Sequence, residues 1–172
     1  RQANRGHWEE LRKSVKKVKQ LAEKNERFSD WLEAIKWEKE WLDKCEEKKN
    51  LYERYQQIVL EETKVRKYLE EEINYKNLRM SIEYLRRKDV RLVDVSNHKK
   101  FKEYNNSKWL KTAVPPYSIE ARANFYHAKC LIAQYTGQLE KSYQYIKNLI
   151  ILFEQNTHFQ NRHIIWYRNS LG

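Results

Sequence analysis

Residues 118–153 read SIEARANFYHAKCLIAQYTGQLEKSYQYIKNLIILF. Ser118 is a good helix cap, because its hydroxyl can accept from the unpaired N–H groups of a first turn. Ile119, Ala123, Tyr126, Cys130 and Ala133 follow at spacings of four, three, four and three, which places them on one helical face. The helix is predicted over 118–136. Gly137 then stands where a helix-ending glycine is expected. Leu139, Tyr143, Ile146, Leu149 or Ile150, and Phe153 repeat the same spacing on a second helix. A connection this short forces the two helices to pack antiparallel as a hairpin. The small side chains of Ala123, Cys130 and Ala133 let the partner helix approach closely.

Outward from this hairpin, Pro115-Pro116 is the strongest punctuation in the chain, since proline pushes its predecessor out of the α region. On the other side, 154–161 reads as a polar connector and 162–172 as the start of a further helix. Helix, glycine turn, helix and a new helix is the grammar of an α-solenoid. Residues 123–154 resemble a tetratricopeptide repeat. Tyr126 matches the large residue of its first helix, Cys130 the small one, Gly137 the turn, and residues 138–142 (QLEKS) the run that opens its second helix. Ile146 and Leu149 match the later packing positions, and Leu171-Gly172 resembles the start of a following repeat. Lys129 and Glu154 depart from the pattern, standing where Leu and Pro are usual. As a whole the chain is similar to tetratricopeptide-like proteins of Bacteroidetes, in which irregular helices precede an Ala-rich, Tyr-rich repeat. The resemblance implies a concave peptide-binding face carrying Asn124, His127, Leu131, Gln134 and Tyr135, with Asn169 from the next helix.

The rest of the chain is also helical in pattern. Gly and Pro number three and two, and none lies between Gly6 and Pro115, so nothing there enforces the corners of a strand-turn-strand fold. A first helix is predicted over 6–24, with Trp8, Leu11, Val15, Val18 and Leu21 on its apolar face and Arg12, Lys13, Lys16, Lys17 and Lys19 on a solvated one. A second, begun by Ser29 and Asp30 and running to about residue 48, buries Trp31, Leu32, Ile35, Leu42 and Cys45, with Trp37 and Trp41 as a second aromatic ridge. Over 51–87 the spacing of Tyr55, Ile58, Val65, Leu69, Leu78, Ile82 and Leu85 fits one long helix or two joined at a kink, interrupted by Glu62. Residues 90–95 read as an extended linker, Ser96 as the cap of a short helix to about 104, and Trp109-Leu110 as loop anchors. Two regions are therefore expected: irregular long helices over 1–114, with a linker near 89–95, and the repeat-like hairpin over 115–172. A chain that begins at Arg1 and stops inside a helical pattern reads as a piece of a longer protein.

No catalytic motif is present. Three scattered glycines cannot build a phosphate loop, and no His-Glu-x-x-His occurs. His158 and His163, five apart, share no helix face, so no metal is expected. Cys45 and Cys130 form no Cys-x-x-Cys pair, which argues against structural zinc and for a reducing, cytoplasmic compartment. Glu70-Glu71-Glu72 reads as a solvated acidic cluster. No cofactor is expected, and no apolar run is long enough to span a bilayer. The net charge of +11 invites a nucleic-acid partner. Against it, Lys36, Lys39 and Lys44 alternate with Glu33, Glu38, Glu40 and Asp43, which favours salt-bridged helix faces over a basic stripe. A non-catalytic scaffold for a protein or peptide partner is the preferred reading. A basic nucleic-acid module and a regulatory domain of a larger protein are the alternatives.

Overall fold

The computed structural model describes residues 2–44, 50–88, 95–112 and 114–171. Among these the regular structure is helical throughout, with no strand. The helices are α1 (Gln2–Lys24), α2 (Phe28–Lys44), α3 (Leu51–Lys88), α4 (Val95–Asn105), α5 (Ile119–Tyr135), α6 (Leu139–Gln155), α7 (Thr157–Arg162) and α8 (Ile164–Leu171). None is long and apolar enough to cross a membrane. The chain divides into two compact units, Arg1–Glu70 and Glu71–Gly172. The division falls within α3, earlier than the 114/115 boundary expected from the prolines. Pro115 and Pro116 lie in the non-helical stretch before α5, and side chains on both sides of them share one core. The linker over 89–94, Cys45 and the side chain of Trp8 lie outside the described residues.

In the amino-terminal unit, α1 and α2 form a hairpin closed by paired end bonds. Arg27 N donates to Ala22 O (2.8 Å) and Glu26 N to Glu23 O (3.1 Å). This is the capping motif that a left-handed residue allows, and Glu26 takes that conformation at φ 51°. The buried face of α1 is rotated from the expected one. Val15 and Ala22 are buried, whereas Val18 and Leu21 are exposed. Lys19 is not a solvated cation. Its ammonium sits among Glu38 and Glu61, and Glu61 also accepts from Trp31 Nε1 (2.7 Å). Burial works to lower the Lys19 pKa, but the hydrogen bonds of the two carboxylates outweigh it and hold it above its ordinary value. Phe28, Trp31, Ile35, Trp41 and Leu42 pack with Ile58 and Val65 of α3. Trp37 is exposed, so the aromatic ridge reduces to Trp41, whose ring the guanidiniums of Arg12 and Arg54 approach to 5.2 and 4.8 Å. Residues 51–88 form a single helix, and Glu62 does not break it because it faces Lys39 and Arg66.

In the carboxy-terminal unit, Ser118 caps α5 as expected, its Oγ accepting from Ala121 N at 3.0 Å. The same hydroxyl donates to Glu72 (3.2 Å), and Tyr117 N donates to Glu71 (2.8 Å). Two members of the acidic run thus tie down the start of α5 rather than standing in solvent. The α5–α6 hairpin closes through Gln138 N to Ala133 O (2.8 Å) and Gly137 N to Gln134 O (3.2 Å), with Gly137 at φ 72°. Cys130 Sγ meets Ser142 Oγ at 3.4 Å across it. Ala123, Leu149, Leu152 and Phe153 form its core. Leu139, the first residue of α6, and Tyr143, one position after the buried Ser142, are exposed, whereas Leu149 is buried as expected. The expected polar connector over 154–161 is largely helical. Phe159 of α7 is buried and stacks on Phe153, with ring centroids 5.2 Å apart. The opposite side of α5 is buried as well: Ala121, Ala128, Leu131, Ile132 and Tyr135 pack with Tyr75, Ile82, Phe101 and Leu110. Trp109 and Leu110 do anchor their loop, since Tyr75 Oη donates to Trp109 O at 2.8 Å. Burial, then the nearby Glu71 charge, push the Tyr75 pKa up to about 12.

The two hairpin ends predict opposite responses. Gly137→Ala should destabilise by about 1 kcal/mol, because the left-handed backbone then carries a Cβ, although that Cβ would meet nothing within 4 Å. Glu26→Gly should stabilise by roughly 0.5–1 kcal/mol through relief of the same strain, less the added freedom of the unfolded chain. Urea unfolding of each variant checks both signs. A destabilised Glu26→Gly would show that the Glu26 side chain outweighs the strain.

Candidate functional site

A cleft of about 740 Å3 lies within the carboxy-terminal unit, walled by α3, α5 and the α7–α8 segment, with Ile146 from α6. α3 contributes Arg79, Glu83, Arg86 and Arg87, spaced so that they line one face. α5 contributes His127, Cys130, Leu131 and Gln134 at helical spacing. The far wall carries Arg162, His163, Ile164, Ile165, Trp166, Asn169 and Ser170.

Arg79 organises the floor. Its Nε donates to Asn124 Oδ1 (2.8 Å) and its Nη1 to Glu83 Oε2 (2.6 Å), while its guanidinium lies 5.3 Å from the centre of the Trp166 ring. Asn124 is held in turn by donating to Glu120 O (2.8 Å). Glu83 also accepts from Arg87. Burial works to raise the Glu83 pKa, but the Arg87 hydrogen bond and the charges of Arg79 and Arg87 hold it below the ordinary range. Arg86 has no carboxylate partner among the described residues. Arg162 is 3.8 Å from Glu120 and lies over the Phe159 ring.

No protein-family model, curated protein or solved structure significantly matches the chain.

Three aromatic rings sit behind these guanidiniums. The His127 and Trp166 centroids are 5.5 Å apart, and those of His163 and Trp166 are 5.9 Å apart. His127 Nδ1, His163 Nε2 and Trp166 Nε1 are all buried without a hydrogen-bond partner. Glu120 approaches His163 Nε2 only to 3.8 Å, too far for a hydrogen bond. Burial, followed by the Arg79 charge, lowers the His127 pKa to about 4, against the opposing pull of Glu83. His163 is lowered too, chiefly by burial. Both rings are therefore neutral at pH 7. Cys130 is a poor nucleophile, because burial raises its thiol pKa despite the Ser142 contact. Among the described residues no cluster of His, Cys, Asp or Glu could hold a metal ion.

Of the six residues expected on a groove, His127, Leu131, Gln134 and Asn169 line this cleft. Gln134 and Asn169 are exposed, but Leu131 is 3% exposed and belongs mainly to the core. Asn124 is buried beneath the cleft as a partner of Arg79. Tyr135 is buried and stacks on Phe101 at a centroid distance of 3.8 Å, so Leu131 and Tyr135 do not form an open apolar patch. The α3 arginines and Trp166 escaped the sequence reading. Arg79 meets Asn124 across 45 residues, and no periodicity within either helix reports that contact. Lys129, the departure from the repeat pattern, donates to Asn105 of α4 at 3.3 Å.

Proposed function

We propose that the chain is a non-catalytic helical scaffold that binds a polypeptide in the carboxy-terminal cleft. In this reading α5–α6 is a tetratricopeptide-like hairpin, and α8 stands for the first helix of a following repeat. The observation that carries it is the convergence of His127, Gln134 and Asn169, from two helices, on one cleft of mixed polar and apolar lining. Gln134 and Asn169 offer amide donors and acceptors to an extended backbone, and Ile164 and Ile165 offer apolar contact beside them. Nucleic acid is the second reading, and the cleft arginines favour it. Against it, Arg79 and Arg87 already share the Glu83 carboxylate. A cytoplasmic location is part of the same proposal and rests on cysteine usage alone.

Selection from a displayed random-peptide library against the whole chain tests the reading. An enriched synthetic peptide should shift amide resonances of α5 and α8, and its affinity should fall at least about tenfold in Gln134→Trp, Asn169→Trp. Both sites are exposed, so the added rings should obstruct the cleft without disturbing the core. Enriched peptides that ignore the double variant would move the binding face elsewhere and sink the proposal.

A further inference from the structure

We infer that the carboxy-terminal cleft selects a peptide by a phosphomonoester on one of its side chains, seated between Arg86 and Arg162 against the Trp166 wall. This rests on the polypeptide-binding reading above and adds the chemistry of the ligand. Four guanidiniums line the cleft against the carboxylates of Glu83, shared by Arg79 and Arg87, and Glu120, 3.8 Å from Arg162, which leaves two positive charges in excess while both histidines are neutral. Clustered like charges cost stability unless an anion joins them, and surface cations are usually interleaved with acids, as elsewhere in this chain. Arg86 is exposed with no carboxylate partner among the described residues, and Arg162 is more than hydrogen-bond distance from Glu120. Their planar N–H forks are therefore available to a tetrahedral anion.

The rings add a second, independent observation. Buried ring nitrogens without partners are rare, and three of them cluster here. Trp166 Nε1 can only donate, and a neutral imidazole offers one donor. His127, His163 and Trp166 all line the cleft, so these nitrogens lie at its wall. A phosphomonoester suits the site better than a carboxylate, because it brings close to two negative charges and three acceptor oxygens.

Short degenerate peptide pools with phosphoserine, Glu or Ser fixed at the central position would be passed over the immobilised whole chain, with inorganic phosphate and a single-stranded oligonucleotide as competitors. The phosphoserine pool should be retained at least about tenfold over the Ser pool and several-fold over the Glu pool. Arg86→Gln, Arg162→Gln should remove that preference while circular dichroism stays unchanged, both residues being exposed. Bound phosphopeptide should also raise the His127 pKa from its low value in an imidazole NMR titration, since a dianion then offsets Arg79 and Arg86. Equal retention of all three pools would overturn the phosphoryl selectivity and leave polypeptide binding standing; retention of none would remove both. Inorganic phosphate that competes as well as the phosphopeptide, or an oligonucleotide that displaces it at physiological salt, would overturn the proposal by assigning the arginines to a free anion or to nucleic acid.

Discussion

Leu131→Asp combined with Tyr135→Asp is expected to unfold the carboxy-terminal unit. Leu131 is 3% exposed and Tyr135 8% exposed, and both pack with Tyr75, Ile82 and Phe101. The Tyr135 ring lies 21° from parallel to that of Phe101. Each substitution removes a large apolar contact, worth roughly 2–5 kcal/mol for such truncations, and leaves a carboxyl with no partner in a core. The pair should cost more than about 5 kcal/mol, comparable with the whole stability of an ordinary domain. Loss of the 222 nm helical signal and of a cooperative urea transition checks this. Gln134→Asp is the matched control: Gln134 is exposed between the same two positions, so it should change stability by less than about 0.5 kcal/mol. A folded double variant would mean that α4 does not cover α5 as described.

The second large effect is a dependence of stability on pH set by His127. Its imidazole faces Arg79, Glu83 and Arg86 from α3 and the Trp166 ring from α8. In the unfolded chain it takes up a proton near its ordinary pKa of 6.5, whereas in the folded unit it resists protonation down to about 4. Because the folded pKa is depressed, the stabilisation is complete above about pH 6.5 and drains away as pH falls towards 4. At about 1.4 kcal/mol per unit, the loss is on the order of 3 kcal/mol. Glu83, also depressed, adds its own loss only below its ordinary value of 4.5. Unfolding free energies at pH 7 and pH 4.5 should therefore differ in the wild type and differ less in His127→Gln, which keeps only the loss that the depressed His163 adds in the same window. An imidazole titrating near 6.5 in the folded protein would contradict the burial on which this rests.

Local chemistry was legible wherever a single segment carried the whole signal. The spacing of Ile119, Ala123 and Tyr126, the hydroxyl of Ser118 and the left-handed Gly137 all act within a few residues, so the α5–α6 hairpin followed from them. The α1–α2 hairpin ends in the same bond pattern, yet no local signal announces it, because Glu26 does not advertise a left-handed backbone as glycine does. Where a helix is apolar around most of its circumference, periodicity identifies a helix but not which side meets which neighbour. α5 buries both sides, and α6 keeps Leu149 and Phe153 inward but buries Ser142 and leaves Leu139 and Tyr143 exposed. The helical class and the turn at Gly137 are thus properties of the sequence itself. The burial of Leu131 and Tyr135, the placement of Lys19 between Glu38 and Glu61, and the gathering of Arg79, His127 and Trp166 at one cleft were decided by tertiary packing. Those contacts join residues tens of positions apart, and their energy depends on which faces meet, which no local pattern encodes.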